Sequence, residues 1–353
     1  MLPEGSTITM RLIGSLFLAL LLIGSGAWGA LAVHHTVPGQ ALLGAVLSLA
    51  IVVAALAAAV ALAKREWLRP AFAAYGVLFA VLLTWWSTIE PSNDRAWKPE
   101  VAVLPKIERE GDQVTIRNVR NFDYRSATEI EPQYYDRTYD LDKLESIVLF
   151  ASYWGGPAIA HIFVSFGFGD DDYLAVSVER RDELGEGYST VRGLFRQYEI
   201  FYVVADERDV IRLRTNFRDD PPEDVYLYRL HGPIENVRRL FDEYIRRIES
   251  LATQPEFYNT ITSNCAGNIW LNAHVNPGRV PYSWKILLSG HVPEFLYDRG
   301  LLDTSVAFAE LKQRSRINDA ARVAADSADF SRLIRAGLPP MSANPPQNEP
   351  EAR

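Results

Sequence analysis

The chain has 353 residues, a net charge of -8 and a single cysteine, Cys265. The acidic balance, with a pI of about 5.4, argues against nucleic acid as the main partner, because phosphate binding needs a basic face. One cysteine excludes a disulfide scaffold and any multi-cysteine metal site. The length points to more than one unit.

The charge is spread unevenly. Between Leu12 and Trp86 the only charged residues are Lys64, Arg65, Glu66 and Arg69, so the mean hydropathy of -0.05 averages an apolar region with a polar one. Leu12–Val33 and Ala41–Ala63 are charge-free runs of 22 and 23 residues, and Ala71–Trp86 adds 16 more. With Trp67, Leu68 and Ser87 the third run also approaches the roughly 20 apolar residues a spanning helix needs. Three transmembrane helices are predicted. The loop His34–Gln40 has no Lys or Arg, whereas Arg11 and the loop Lys64–Pro70 are basic. Basic loops are retained on the cytoplasmic side. The N-terminus is therefore expected in the cytoplasm, and everything after Ile89 outside it, at the periplasmic face of a bacterial inner membrane.

The expected organisation is a membrane domain over 1–89, a periplasmic catalytic domain over 90–300, a helical extension over 301–337 and a disordered tail over 338–353. The tail is rich in Pro, Asn and Glu. Strand-like stretches run over Gln113–Val119, Ser146–Tyr153, Ala158–Phe168, Tyr173–Arg180, Glu199–Ala205 and Asp224–Leu230. The intervening Gly-Asp-Asp-Asp reads as a hairpin tip. Apolar residues at three- and four-residue spacing from Ile234 to Leu251 predict an amphipathic helix. A second helix is expected from Cys265 to about His274, and helical structure over 305–336. The predicted class is α+β with an antiparallel sheet.

Thr262, Ser263 and Asn264 are N-cap residue types, so Cys265 falls in the first turn of a helix. There the helix dipole and free N–H groups favour a thiolate and stabilise a developing oxyanion. A thiolate nucleophile needs a base. His274 is nine residues along the same helix, roughly 14 Å away, and His34 and His35 lie in a membrane loop. His161 opens an alternating apolar strand, where an imidazole needs a partner. It is the candidate base, with a satisfied core histidine as the competing reading. On the next strand Ser177 and Glu179 share one face. Glu179 is the candidate orienting acceptor, against a solvated strand end beside Arg180 and Arg181. Tyr258 and Asn264, flanking the cysteine, together with Ser177 and Arg192, are candidate substrate contacts. An exposed arginine is the plain alternative for Arg192. Ser92–Trp97 (SNDRAW) and Arg120–Ser126 (RNFDYRS) either line a cleft or form capped turns with internal Asp–Arg pairs.

The order His161 strand, second strand, Cys265 at a helix start resembles the circularly permuted branch of the NlpC-type papain-like hydrolases and transferases. More narrowly, Pro91 to about Trp270 resembles the Lnb N-terminal periplasmic domain family, named after a lipoprotein N-acyltransferase of Bacteroides-type bacteria. The matching segments are SNDRAW, VRNFDYRS, SYWGGPAIAHIFVSFGF, VVADERDVIRLRTN and NTITSNCAGNI. The resemblance implies a permuted papain-like fold and a catalytic Cys265 and His161. It also implies transfer of an acyl chain from a phospholipid to the N-terminal amine of a lipoprotein. A cysteine hydrolase of the cell envelope (an amidase or peptidase) and a non-catalytic membrane-anchored binding module are the alternatives. No phosphate loop or metal-ligand spacing is present, and no cofactor is expected.

Overall fold

A computed structural model of the protein describes residues 4–36, 41–169, 171–278 and 280–338. The chain divides into two compact units. One runs up to Ser92 and includes 188–198; the other comprises 93–187 and the chain from Glu199 onward.

The first unit contains α1 (Glu4–Thr36), α2 (Ala41–Ala61) and α3 (Arg65–Ser87). Within them Leu12–Thr36, Leu42–Ala61 and Trp67–Ser87 are long and apolar enough to cross a membrane. In hydrocarbon a helix satisfies every backbone donor and acceptor internally. Small residues allow close approach: a Cβ on Gly26 would collide with Ala55, and one on Gly29 with Leu82. Ser25 Oγ and Tyr75 OH, 2.7 Å apart, tie α1 to α3. Ser48 Oγ donates to Ala30 O across α1 and α2. The first helix does not stop at Val33 as expected; His34 and His35 form its last turn. The remainder of that loop, 37–40, lies outside the described residues. The segment 188–198 is held by Arg196, whose Nη1 donates to Trp86 O at 2.7 Å and Ile89 O at 3.0 Å. It thereby fills carbonyls left open at the end of α3.

The second unit is built on β1 (Lys106–Glu110), β2 (Gln113–Arg120), β3 (Asp123–Tyr124), β4 (Ile130–Glu131), β5 (Tyr134–Asp140), β6 (Leu144–Tyr153), β7 (Ala160–Phe168), β8 (Asp172–Arg181), β9 (Glu199–Ala205) and β10 (Asp224–Arg229). The main sheet has the order β1-β2-β9-β8-β7-β6-β10, with β5 also pairing β2; β3 and β4 form a separate pair. Apart from one parallel bridge, Arg120 to Ala205, its pairings are antiparallel. The class is therefore mixed α+β. The helices are α4 (Glu207–Arg212), α5 (Ile234–Thr253), α6 (Cys265–Ala273), α7 (Trp284–Leu287), α8 (Val292–Tyr297), α9 (Phe308–Arg314), α10 (Asn318–Val323) and α11 (Phe330–Leu333).

Both faces of the sheet are covered, so β6 and β7 read as near-continuous apolar runs. Ile162, Val164 and Phe166 point toward α5, where Phe241 and Tyr244 stack edge-on against Phe166. Phe150 and Phe163 point the other way and stack at 4.8 Å, under Ile211, Ile317 and Phe330. The expected strands appear within two residues of their predicted ends. β1 and β5 escaped prediction because their outward faces carry charges, such as the Arg117–Glu108 and Arg137–Asp172 pairs. Residues 305–336 form three short helices rather than one stretch. Leu227 N donates to Ser315 O and Ile317 N to Val225 O, so the chain leaves the helix to pair along β10. The segment 301–337 clusters with the rest of this unit. Of the tail expected to be disordered, 339–353 lies outside the described residues.

The two odd polar motifs are structural. Asp209, fully buried, accepts from Arg120 Nε and Nη2, Phe122 N and Tyr124 OH at 2.7–3.1 Å. Asn93 Nδ2 donates to Leu251 O and Ala252 O at the end of α5, and its Oδ1 accepts from buried Arg181. Arg181 in turn lies 4.3 Å over Trp97. Breaking a buried, hydrogen-bonded pair leaves an uncompensated charge. Asp209→Ala should therefore lower unfolding stability by about 3–5 kcal/mol, measured by denaturant unfolding of the full chain in detergent. Asp142→Ala, at a largely exposed position, should leave the midpoint unchanged.

Candidate functional site

The β7–β8 ladder stops at the pair Val164–Val176. Upstream of Val164 the strands are no longer paired, and the Cys265 sulfur comes near the Ile162 backbone N–H. The start of α6 fills this gap. Asn264 caps the helix, its Oδ1 accepting from Gly267 N at 2.8 Å, and its Nδ2 donates to Thr260 O. Asn259 Oδ1 accepts from Ile261 N and Thr262 N, shaping the turn before the cap. Cys265 is the first helical residue and is only partly buried.

His161 and Cys265 lie close enough for each to shift the other's protonation. His161 Nε2 lies 2.7 Å from Ser177 Oγ, and Ser177 Oγ donates to Glu179 Oε1 at 2.9 Å. A hydroxyl has one proton. Ser177 gives its proton to Glu179, so it accepts from Nε2–H, and Nδ1 is the nitrogen left for the sulfur. Glu179 Oε1 is also 3.5 Å from Nε2 and accepts from Arg214 Nη2 at 3.2 Å. Arg214, 3% exposed, lies 5.2 Å over the Phe163 ring. Its Nε is 3.8 Å from Glu223 Oε2, and Glu223 holds Ser152 Oγ and Arg218 Nη1. Ser152 is the register partner of His161 on β6, so this polar chain runs beneath the site.

The protonation states follow from competing effects. Burial pushes the Cys265 thiol up; the hydrogen bond and charge of His161, with the N–H groups of Ile162 and Ala266, outweigh it and hold the thiol below its ordinary value. Burial and the Arg214 charge oppose an imidazolium, but the bonds to Cys265 and Glu179 raise His161 above its ordinary value. Burial opposes the Glu179 carboxylate; His161 and Arg214 hold it well below the usual carboxylate range. The arrangement favours a thiolate–imidazolium pair backed by an ionised carboxylate, which is the geometry of nucleophilic catalysis.

Among the other predicted site residues, Asn264 is the cap of α6 and Ser177 sits between His161 and Glu179. Tyr258 packs, half-buried, against the core on the α5 side. Arg192 belongs to the helical unit, with its guanidinium 5.8 Å over Tyr198, and is not among the groups around Cys265. His274 Nδ1 donates to Trp270 O within its own helix. Sequence reasoning missed Arg214 and Glu223. The first lies inside the segment VVADERDVIRLRTN, whose arginines carry no local sign of burial. Among the described residues, no group of three or more His, Cys, Asp and Glu side chains is arranged to hold a metal ion.

Residues 131–290 match the model of the family described as Lnb N-terminal periplasmic domain. This stretch contains His161, Ser177, Glu179, Arg214 and Cys265, and the matching family is the one its motifs resemble. SNDRAW and RNFDYRS precede the matched residues. Comparisons with curated proteins and with solved structures find no match. A periplasmic domain family joined to three apolar helices fits a membrane protein with a periplasmic domain.

His161 lowers the Cys265 thiol pKa from its ordinary value against the opposing effect of burial. The alkylation of Cys265 by iodoacetamide should therefore begin at a pH below that of an ordinary thiol. In His161→Gln the hydrogen bond and charge are gone while burial remains, so the midpoint moves upward. Each unit of that shift lowers the rate at pH 6 about tenfold. An unchanged midpoint would remove His161 from the pair.

Proposed function

We propose that the protein is a membrane-anchored cysteine acyltransferase with a permuted papain-like catalytic domain. It moves an acyl chain from a phospholipid to the N-terminal amine of a lipoprotein. The observation that carries this reading is the partly buried Cys265 at the start of α6, beside a His161 that Ser177 and Glu179 back. The match to the Lnb family and three helices of membrane-spanning length support the choice of a lipid substrate.

The thiolate attacks the ester carbonyl of the phospholipid, forming an S–C bond. The N–H groups of Ile162 and Ala266, already directed at the sulfur, are the nearest donors for the oxyanion. The C–O bond breaks and the imidazolium of His161 gives its proton to the departing lysophospholipid. Neutral His161 then takes a proton from the incoming amine as the N–C bond forms, the C–S bond breaks and the thiolate is regenerated. Glu179 keeps the ring oriented and the imidazolium favourable throughout; Arg214 keeps Glu179 ionised. With water in place of the amine, the same steps give a hydrolase.

The test is transfer of label from a phospholipid with a labelled acyl chain to the purified full chain in detergent. Wild type should carry label on Cys265 as a hydroxylamine-sensitive thioester. Cys265→Ala should carry none, and Cys265→Ser should retain whatever label it acquires as a more stable oxygen ester. His161→Ala should slow labelling by about 10²–10⁴-fold. Absence of label on folded wild type would end the phospholipid reading. A synthetic diacylglyceryl-cysteine peptide should discharge the label as an amide. Release only as free fatty acid would favour the hydrolase.

A further inference from the structure

The two segments that deliver the site are apolar where they are exposed. Trp154 and Ile159 lie in the loop that leads into β7 and His161, at 36% and 41% exposure. Ile261 is at the tip of the turn before Cys265, at 52%. Tyr282, Trp284 and Leu288 follow α6 at 54%, 57% and 37%. These values hold with the whole chain present.

The segments meet in space. Gly290 N donates to Ala158 O at 3.0 Å, Tyr153 OH donates to Gly290 O, and Ser289 Oγ donates to Ala160 O while accepting from Ala160 N. A Cβ on Gly290 would run into the Pro157 carbonyl, so only glycine permits the approach. On the other side Trp270 Nε1 donates to Val280 O and its ring meets Tyr282 at 5.2 Å. The loop before His161 and the stretch after α6 are thus held together, and with the turn before Cys265 they make an apolar collar that flanks the two site residues in the chain.

Charge selects the occupant. In a chain with 44 acidic residues, 257–292 contains no Asp or Glu, and its charged residues are only Arg279 and Lys285. Residues 146–169 contain no Asp, Glu, Lys or Arg. A face for an acidic or basic protein partner would carry the opposite charge. Lys285 at the edge of this face is paired with Glu294 and Asp298, so what the face itself exposes is Trp, Tyr, Ile and Leu, which suit the headgroup zone of a bilayer, where amphipathic rings settle.

We infer that this collar docks into the interfacial zone of a lipid bilayer and opens the Cys265–His161 site directly onto lipid. The inference deepens the acyl-transfer reading by giving the donor's route of entry. The face itself can be tested apart from the chemistry. Because the chain has one cysteine, Cys265→Ser provides a background for single nitroxide labels. Ile159→Cys, Ile261→Cys and Trp284→Cys replace side chains that are already exposed, and Val323→Cys, at a position 90% exposed, serves as the reference. The full chain is placed in nanodiscs of phosphatidylethanolamine and phosphatidylglycerol at one copy per disc, which excludes contacts between copies. Labels at 159, 261 and 284 should collide with oxygen in preference to a water-soluble nickel chelate, by several-fold over the label at 323. Collision rates matching those at 323 would overturn the proposal. Lipid-shielded labels alongside a wild-type chain that takes no acyl group would leave the face standing and end the acyl-transfer reading. Acylation with water-exposed labels would do the reverse.

Discussion

The candidate site depends on a ladder that ends early. Had β7 and β8 stayed paired upstream of Val164, the register would set His161 opposite Glu179 in a closed sheet, and the Ile162 N–H would be spent on β8. Because the pairing ends, that N–H is free to meet a sulfur. A backbone donor left open inside a domain needs a partner, and the start of α6 supplies one. The same gap lets a helix N-terminus, with its own unpaired N–H groups, approach a strand-borne imidazole. The cap made by Asn264 fixes where that helix begins and therefore where the sulfur lies.

Behind the sulfur the charges alternate in sign: Cys265, His161, Glu179, Arg214, Glu223, Arg218. Each buried member has an opposite charge beside it, which is how ionised groups survive out of water. The alternation also gives each residue a role that its immediate contacts understate. Arg214 opposes the charge on His161, yet it holds Glu179 ionised, and Glu179 in turn helps to raise His161. A neutral replacement at 214 would thus weaken one opposing effect and one supporting effect together. Arg214 is also wedged between the Phe163 face and the Val210 carbonyl. The positive charge is therefore fixed in place rather than free to seek water.

What was legible in the sequence follows from how local each signal is. Cys265 announced itself through three N-cap residue types before it, and His161 through being a lone polar group at the head of an apolar strand. Glu179 was reached through strand periodicity on the neighbour. Arg214 and Glu223 gave no such signal. Their role comes from a sheet face that brings the turn of helix after α4 and the start of β10 against the middle of β7, contacts of high sequence separation. SNDRAW and RNFDYRS were polar for a reason that local reading could not decide. Asp209 and Arg181, the residues that make both motifs structural, lie 83–89 positions away from them in the chain. β1 and β5 were invisible because a strand whose outward face carries ion pairs lacks the apolar alternation that marks a strand.

The choice between transfer and hydrolysis turns on water rather than on the residues that touch the sulfur. A thioester at Cys265 would meet whichever nucleophile reaches it, and His161 would take a proton from either. Discrimination then rests on the surroundings of the site, since expelling water protects a reactive intermediate. The exposed residues in the stretches flanking His161 and Cys265 are tryptophan, tyrosine, isoleucine and leucine. On the proposed reading, lipid lying against that collar replaces the solvent layer, and an amine arriving on a lipid-anchored peptide enters from the same phase as the acyl donor. Donor, intermediate and acceptor then share one low-water surface, so a site whose bond-making groups are indifferent to the acceptor acquires its preference from where it opens.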